Sequence, residues 1–138
     1  MFSCKAPSDE NCLGMQFENG VLSSLWLYPN YQITFDEIVI TMGPPDSFYY
    51  SRRDPERKGC SLSVLWISRQ LDVGYGDHSS IFGDDLCDLI EKENGKLPKG
   101  LFVNQVHYMT SSQMKEVIET VKQPETGQNY TLWSGFAE

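Results

Sequence analysis

Ser112-Gln113-Met114-Lys115 has the S-x-x-K spacing in which a lysine amine one helical turn away can activate a serine hydroxyl for acyl transfer. That chemistry also calls for S-D-N and K-T-G segments. Neither occurs in the 138 residues, and this serine sits in a cluster of helix-capping residues. Asp77-His78 with Asp84, Asp85 and Asp88 is the nearest approach to a metal site, an imidazole in a glycine-rich loop beside carboxylates suited to a divalent ion. No ligand spacing there matches a known site, and carboxylates at a helix start are favoured by the helix dipole alone. His107 alternates within an apolar stretch and reads as a satisfied or surface histidine. Neither histidine has a serine or cysteine that the sequence marks as its nucleophile. The chain carries no G-x-S-x-G, no P-loop and no dinucleotide fingerprint. The expectation is a protein that is not an enzyme and uses no cofactor and no metal.

Binding is the better use of the side chains present. Arg52, Arg53, Arg57 and Lys58 place four of the eleven basic residues in one turn, interleaved with Asp54 and Glu56, beside Phe48, Tyr49 and Tyr50. Aromatic residues next to arginine are the types that dominate binding hot spots, so Phe48, Tyr49, Tyr50, Arg52, Arg53 and Arg57 are the candidate partner-binding residues. Self-pairing of the charges on a solvated tip, with the aromatics in ordinary sheet packing, is the alternative.

Four cysteines, Cys4, Cys12, Cys60 and Cys87, form an even set without C-x-x-C spacing, which makes a zinc cluster a poor fit. Three disulfide connectivities are open. The favoured one pairs Cys4 with Cys12, pinning a polar N-terminal arm (residues 1–11), and Cys60 with Cys87, tying a strand to a helix. Four reduced thiols in a cytosolic protein are the competing reading. Cys4 and Cys12 tip the balance towards oxidation, because their surroundings are too polar to be core.

A net charge of −8 argues against nucleic-acid binding and adhesion to anionic lipid, both of which need a positive field. The acidity serves solubility, or an acidic face that meets a basic partner. No stretch approaches the roughly 20 apolar residues of a membrane span, so no membrane insertion is expected. Met1-Phe2-Ser3-Cys4 shows no basic or apolar leader. The chain suits the cytosol as written, and equally an ectodomain from which a leader has been removed. Asn129-Tyr130-Thr131 is a glycosylation sequon that matters only in a eukaryotic secretory setting.

The elements that would position these residues are legible. Asn19-Gly20 between Met15–Phe17 and Val21–Tyr28 predicts a type I′ hairpin. Thr34 with Glu37 forms a capping box, Phe35, Ile38, Val39 and Met42 make one apolar stripe, and Gly43-Pro44-Pro45-Asp46 stops that helix. Strands are predicted at 47–51, 61–67 and 70–75, then a loop at 74–80, a helix at 84–93 and a strand at 101–109. A second capping box, Thr110 with Gln113, opens a helix with Met114, Val117, Ile118 and Val121 inside; Pro124 ends it, and 129–136 is a last aromatic strand. Helices interrupted by hairpin-linked strands predict a single α+β domain over residues 1–138, a mostly antiparallel sheet with two or three short helices on one face.

The helix from Thr34-x-x-Glu37 into Met42-Gly43-Pro44-Pro45-Asp46, followed by aromatic strands, resembles domains of the β-lactamase-inhibitor-protein type. The small outer-membrane lipoproteins of the barrel-assembly machinery share this plan, and Leu132-Trp133-Ser134-Gly135-Phe136 is similar to the ending of bacterial lipoproteins built on such domains. The resemblance covers Ile33 to Ile67 and that tail. The hairpin before the helix and the acidic segment around Asp84–Glu93 depart from it. It implies a non-catalytic cell-envelope or secreted domain that binds or scaffolds a protein; no inhibitory or assembly residue transfers by position. The rival reading is a small acidic cytosolic immunity or inhibitor protein that neutralises a basic toxin or enzyme.

Overall fold

A computed structural model describes residues 12–29, 33–54, 57–77 and 86–137 of the chain. The N-terminal arm with Cys4, and His78, Asp84 and Asp85, lie outside the described residues. Among the described residues, seven strands form one sheet in the order β1-β2-β6-β5-β4-β3-β7, with every neighbouring pair antiparallel. They are β1 (Cys12–Glu18), β2 (Val21–Tyr28), β3 (Ser47–Asp54), β4 (Arg57–Trp66), β5 (Leu71–Asp77), β6 (Gln105–Met109) and β7 (Asn129–Leu132). Three helices, α1 (Phe35–Met42), α2 (Leu86–Lys92) and α3 (Ser111–Val121), complete an α+β domain.

Local chemistry explains each of the well-formed elements. Asn19 and Gly20 both take positive φ (52° and 79°), the requirement of the two-residue turn joining β1 to β2. In α1 the backbone N–H of Glu37 donates to Thr34 Oγ1 (3.2 Å), and the Thr34 N–H donates back to Glu37 Oε2 (3.4 Å). Thr110 and Gln113 repeat that exchange at the start of α3. Gly43-Pro44-Pro45-Asp46 both ends α1 and is bolted to the end of β4. Trp66 Nε1 donates to the Gly43 carbonyl (2.9 Å), and the Ile67 N–H donates to Asp46 Oδ2 (2.7 Å).

Alternation along β4 separates two cores. Leu62, Val64 and Trp66 face α1 and α2, where Phe35, Phe48, Val73, Leu86, Ile90 and Leu97 join them. Leu65 points the other way and packs with Met109, Met114, Val117 and Ile118 beneath α3. Two helices, α1 and α2, therefore share one face of the sheet, as the sequence predicts, and α3 covers the other. The physical signal of cover on both sides is the run Val64-Leu65-Trp66, where neighbouring positions of β4 are all apolar. Smaller differences are local. The predicted loop at 74–80 is strand as far as Asp77, while 101–104 leaves the sheet apart from a single bridge, Thr34 to Phe102.

Candidate functional site

The α3 face of the sheet carries a row of polar and aromatic side chains that no single segment of the chain contains. Antiparallel register sets Leu65 opposite Asp72, Asp72 opposite His107, and His107 opposite Trp26, all on one side. The neighbouring row runs Tyr130, Tyr49, Ser63 and Gly74. Directly opposed residues in an antiparallel pair have Cβ atoms about 4.5–5.5 Å apart, so the two rows make one compact polar floor.

Asp72 is its centre. The Tyr49 hydroxyl donates to Asp72 Oδ2 (3.4 Å), and the Ser63 hydroxyl donates to the same carboxylate. Burial pushes the Asp72 carboxyl up to about 6, against the opposing effect of the hydrogen bonds from Ser63 and Tyr49. Burial likewise pushes the Tyr49 phenol up to about 12, with the Asp72 charge adding to the effect. His107 stacks on Trp26 (ring centroids 4.8 Å apart, planes 17° apart), and burial lowers its pKa, which favours the neutral ring. Its Nε2 is covered and makes no hydrogen bond among the described residues. The sequence reading of His107 as a satisfied or surface histidine fails on that atom.

Above this floor lies a cavity of about 540 Å³. Met109 completes its base, α3 supplies Gln113, Glu116, Val117, Thr120 and Val121 as its roof, and Thr126 and Gln128 stand at its end. Among the described residues, no three His, Cys, Asp or Glu side chains converge to hold a metal ion. No described helix is long and apolar enough to cross a membrane.

The residues singled out as a partner-binding hairpin are dispersed. Phe48 (0 % exposed) and Tyr50 (8 % exposed) are core residues, with ring centroids 6.0 Å apart, and cannot face a partner. Strand alternation turns Tyr49 to the opposite side, into the cavity. Arg52 is exposed and lies across α2, paired with Asp88 and Glu91. The side chains of Arg53 and Arg57 lie outside the described residues. The predicted Cys60–Cys87 bridge is formed, joining β4 to α2, with each cysteine 1 % exposed. The Cys4–Cys12 pairing lies outside the described residues. Ser112 and Lys115 are exposed on the first turns of α3, and Asn129 Nδ2 donates to the Tyr50 carbonyl (3.3 Å).

Sequence reasoning missed Asp72, Ser63 and Trp26 as a site. Each is the odd member of an alternating strand, a position that reads as solvent-facing until a second layer is known to cover it. Comparison with known proteins found no matching family model, no matching curated protein and no matching solved structure.

Proposed function

We propose that this chain is a non-catalytic binding domain of the cell envelope or of a secreted protein, with a protein partner and the general plan of the β-lactamase-inhibitor-protein type. The observation that carries the reading is the buried Cys60–Cys87 disulfide, since such bridges persist in oxidising compartments and are rare where thiols are kept reduced. The order α1, Gly43–Asp46, then the β3-β4-β5 meander supports the resemblance. The cleft between the sheet and α3 supports the binding half, and takes the place of the β3-β4 hairpin as the binding surface.

The acidic-inhibitor reading draws on the net charge of −8, and it separates from the first on the thiols. The test is cross-linking through lysine in the protein's native compartment, followed by peptide mapping without reductant. The expected map contains a linked Cys60–Cys87 peptide and cross-links to a partner from Lys115 or Lys122, the lysines of α3 and its C-terminal cap. Both thiols alkylated without reductant would move the protein to a reducing compartment. Cross-links to no partner would refute the binding reading.

A further inference from the structure

We infer that the cleft under α3 takes an organic cation, with an ammonium head seated on Asp72 and Tyr49 and an apolar arm along Met109, Val117 and Val121. This rests on the binding reading above and gives it a ligand chemistry.

The floor offers acceptors and lacks a donor of charge. A carboxylate has about four lone-pair sites, of which Tyr49 and Ser63 use two, leaving Asp72 able to accept from a ligand. His107 lines the cleft beside them, but its Nε2 is covered and is not offered to a ligand. The Tyr49 oxygen is a second acceptor. An ammonium group carries three N–H donors and no acceptor, which matches a floor built of acceptors.

Charge points the same way. Among the described residues no lysine or arginine lines the cavity, and Glu116 adds a second carboxylate at the roof. Lys122, at the end of α3, is directed over the Tyr130 ring instead (5.1 Å to the centroid). Burial, with no basic neighbour acting against it, is why the Asp72 carboxyl rises to about 6; an arriving cation would supply the missing countercharge. The overall negative charge steers cations inward. A bare metal ion is a poor fit, since no three ligating side chains converge among the described residues. A volume of about 540 Å³ lies within the range of small-ligand sites, roughly 300–1,000 Å³.

Two sources share this chemistry: a free alkylamine and a lysine side chain of a partner protein. Backbone amide shifts of the labelled protein, titrated with n-butylammonium, neutral n-butanol and the peptide Gly-Lys-Gly, separate them. The expected result is saturable shifts at Asp72, His107 and Val117–Val121 with the cation, and binding of butanol at least about tenfold weaker. Asp72→Asn should weaken the cation by at least about tenfold, and Glu116→Gln by about two- to threefold, while Glu93→Gln, just past the end of α2, changes nothing. Tighter binding of the peptide assigns the site to a partner's lysine; tighter binding of the amine assigns it to a small molecule. If butanol binds as well as butylammonium, or Asp72→Asn keeps full affinity, the cation inference is wrong and the binding cleft stands. If no probe shifts the cleft, the cation inference is wrong, and the cross-linking map alone decides the binding reading.

Discussion

Asp72→Asn should make the protein more stable at neutral pH, and the pH dependence of the gain is what tests the site. The Asp72 carboxyl titrates near 6 in the fold against 3.8 for an ordinary aspartate. Each unit of difference corresponds to about 1.4 kcal/mol, so the charged fold carries a penalty of about 3 kcal/mol. Because the folded value lies above the unfolded one, the protonated carboxyl is the form the fold prefers. Stability from this group is complete below about pH 4, falls as pH rises through 6, and is flat beyond. Asparagine has the same shape, cannot ionise, and its Oδ1 still accepts from Tyr49 and Ser63. The difference between variant and parent should therefore be small at pH 4 and reach about 3 kcal/mol by pH 7–8. Urea unfolding followed by tryptophan fluorescence at intervals from pH 4 to 8 reads this, with the buried Trp66 (2 % exposed) as reporter. His107 has the opposite dependence: burial lowers its pKa, so its contribution is lost as pH falls through the ordinary histidine range. Both proteins share it, and it subtracts out. A difference that is constant across pH, or a variant less stable than its parent at pH 7, would refute the account of a buried carboxylate without a countercharge.

The Cys60→Ala, Cys87→Ala double variant should lose about 3.5 kcal/mol in urea unfolding, from the loop entropy of a bridge spanning 27 residues; a loss under about 1 kcal/mol would show that the crosslink does little to restrict the unfolded chain. Phe48→Ala should cost about 3–5 kcal/mol in the same assay, while Arg52→Ala, in an exposed ion pair, costs less than about 1 kcal/mol; the reverse order would return the hairpin to the surface. Gly95→Ala should cost about 1 kcal/mol or more in thermal or urea unfolding. Gly95 caps α2 at φ 84°, and a Cβ there would sit 3.3 Å from Thr131 Cγ2.

What was legible in the chain is what short-range physics decides. Asn19-Gly20 demands two positive φ angles, Thr34 and Thr110 each cap the helix that follows, and Pro44-Pro45 forbids continuation; all are found where the sequence set them. The Cys60–Cys87 pairing was readable because Cys4 and Cys12 share one polar arm, leaving Cys60, beside a predicted strand, for Cys87 on a predicted helix. The site was not readable, because it is made by register. Asp72 and His107 face each other only once β5 and β6 pair, and Tyr49 joins them from β3 across β4. Period-two alternation marks Asp72 and Tyr49 as a strand's polar side, but cannot say that α3 will roof them. The aromatic run Phe48-Tyr49-Tyr50 misled for the same reason: alternation divides it between two cores, and little of it is surface.

The strand order also dictates a timetable for the growing chain. The β3-β4-β5 meander pairs neighbours in sequence and can close as soon as it is made, whereas Trp26 waits for His107 and Tyr49 waits for Tyr130. Until Asn129–Leu132 arrives, the outer margin of β3 is an open template of unpaired backbone groups, flanked by aromatic residues. In the nascent protein that margin is the place where a second copy could add its own strand. Seating β7 is thus the step that removes the hazard, four residues guarding the fold against itself.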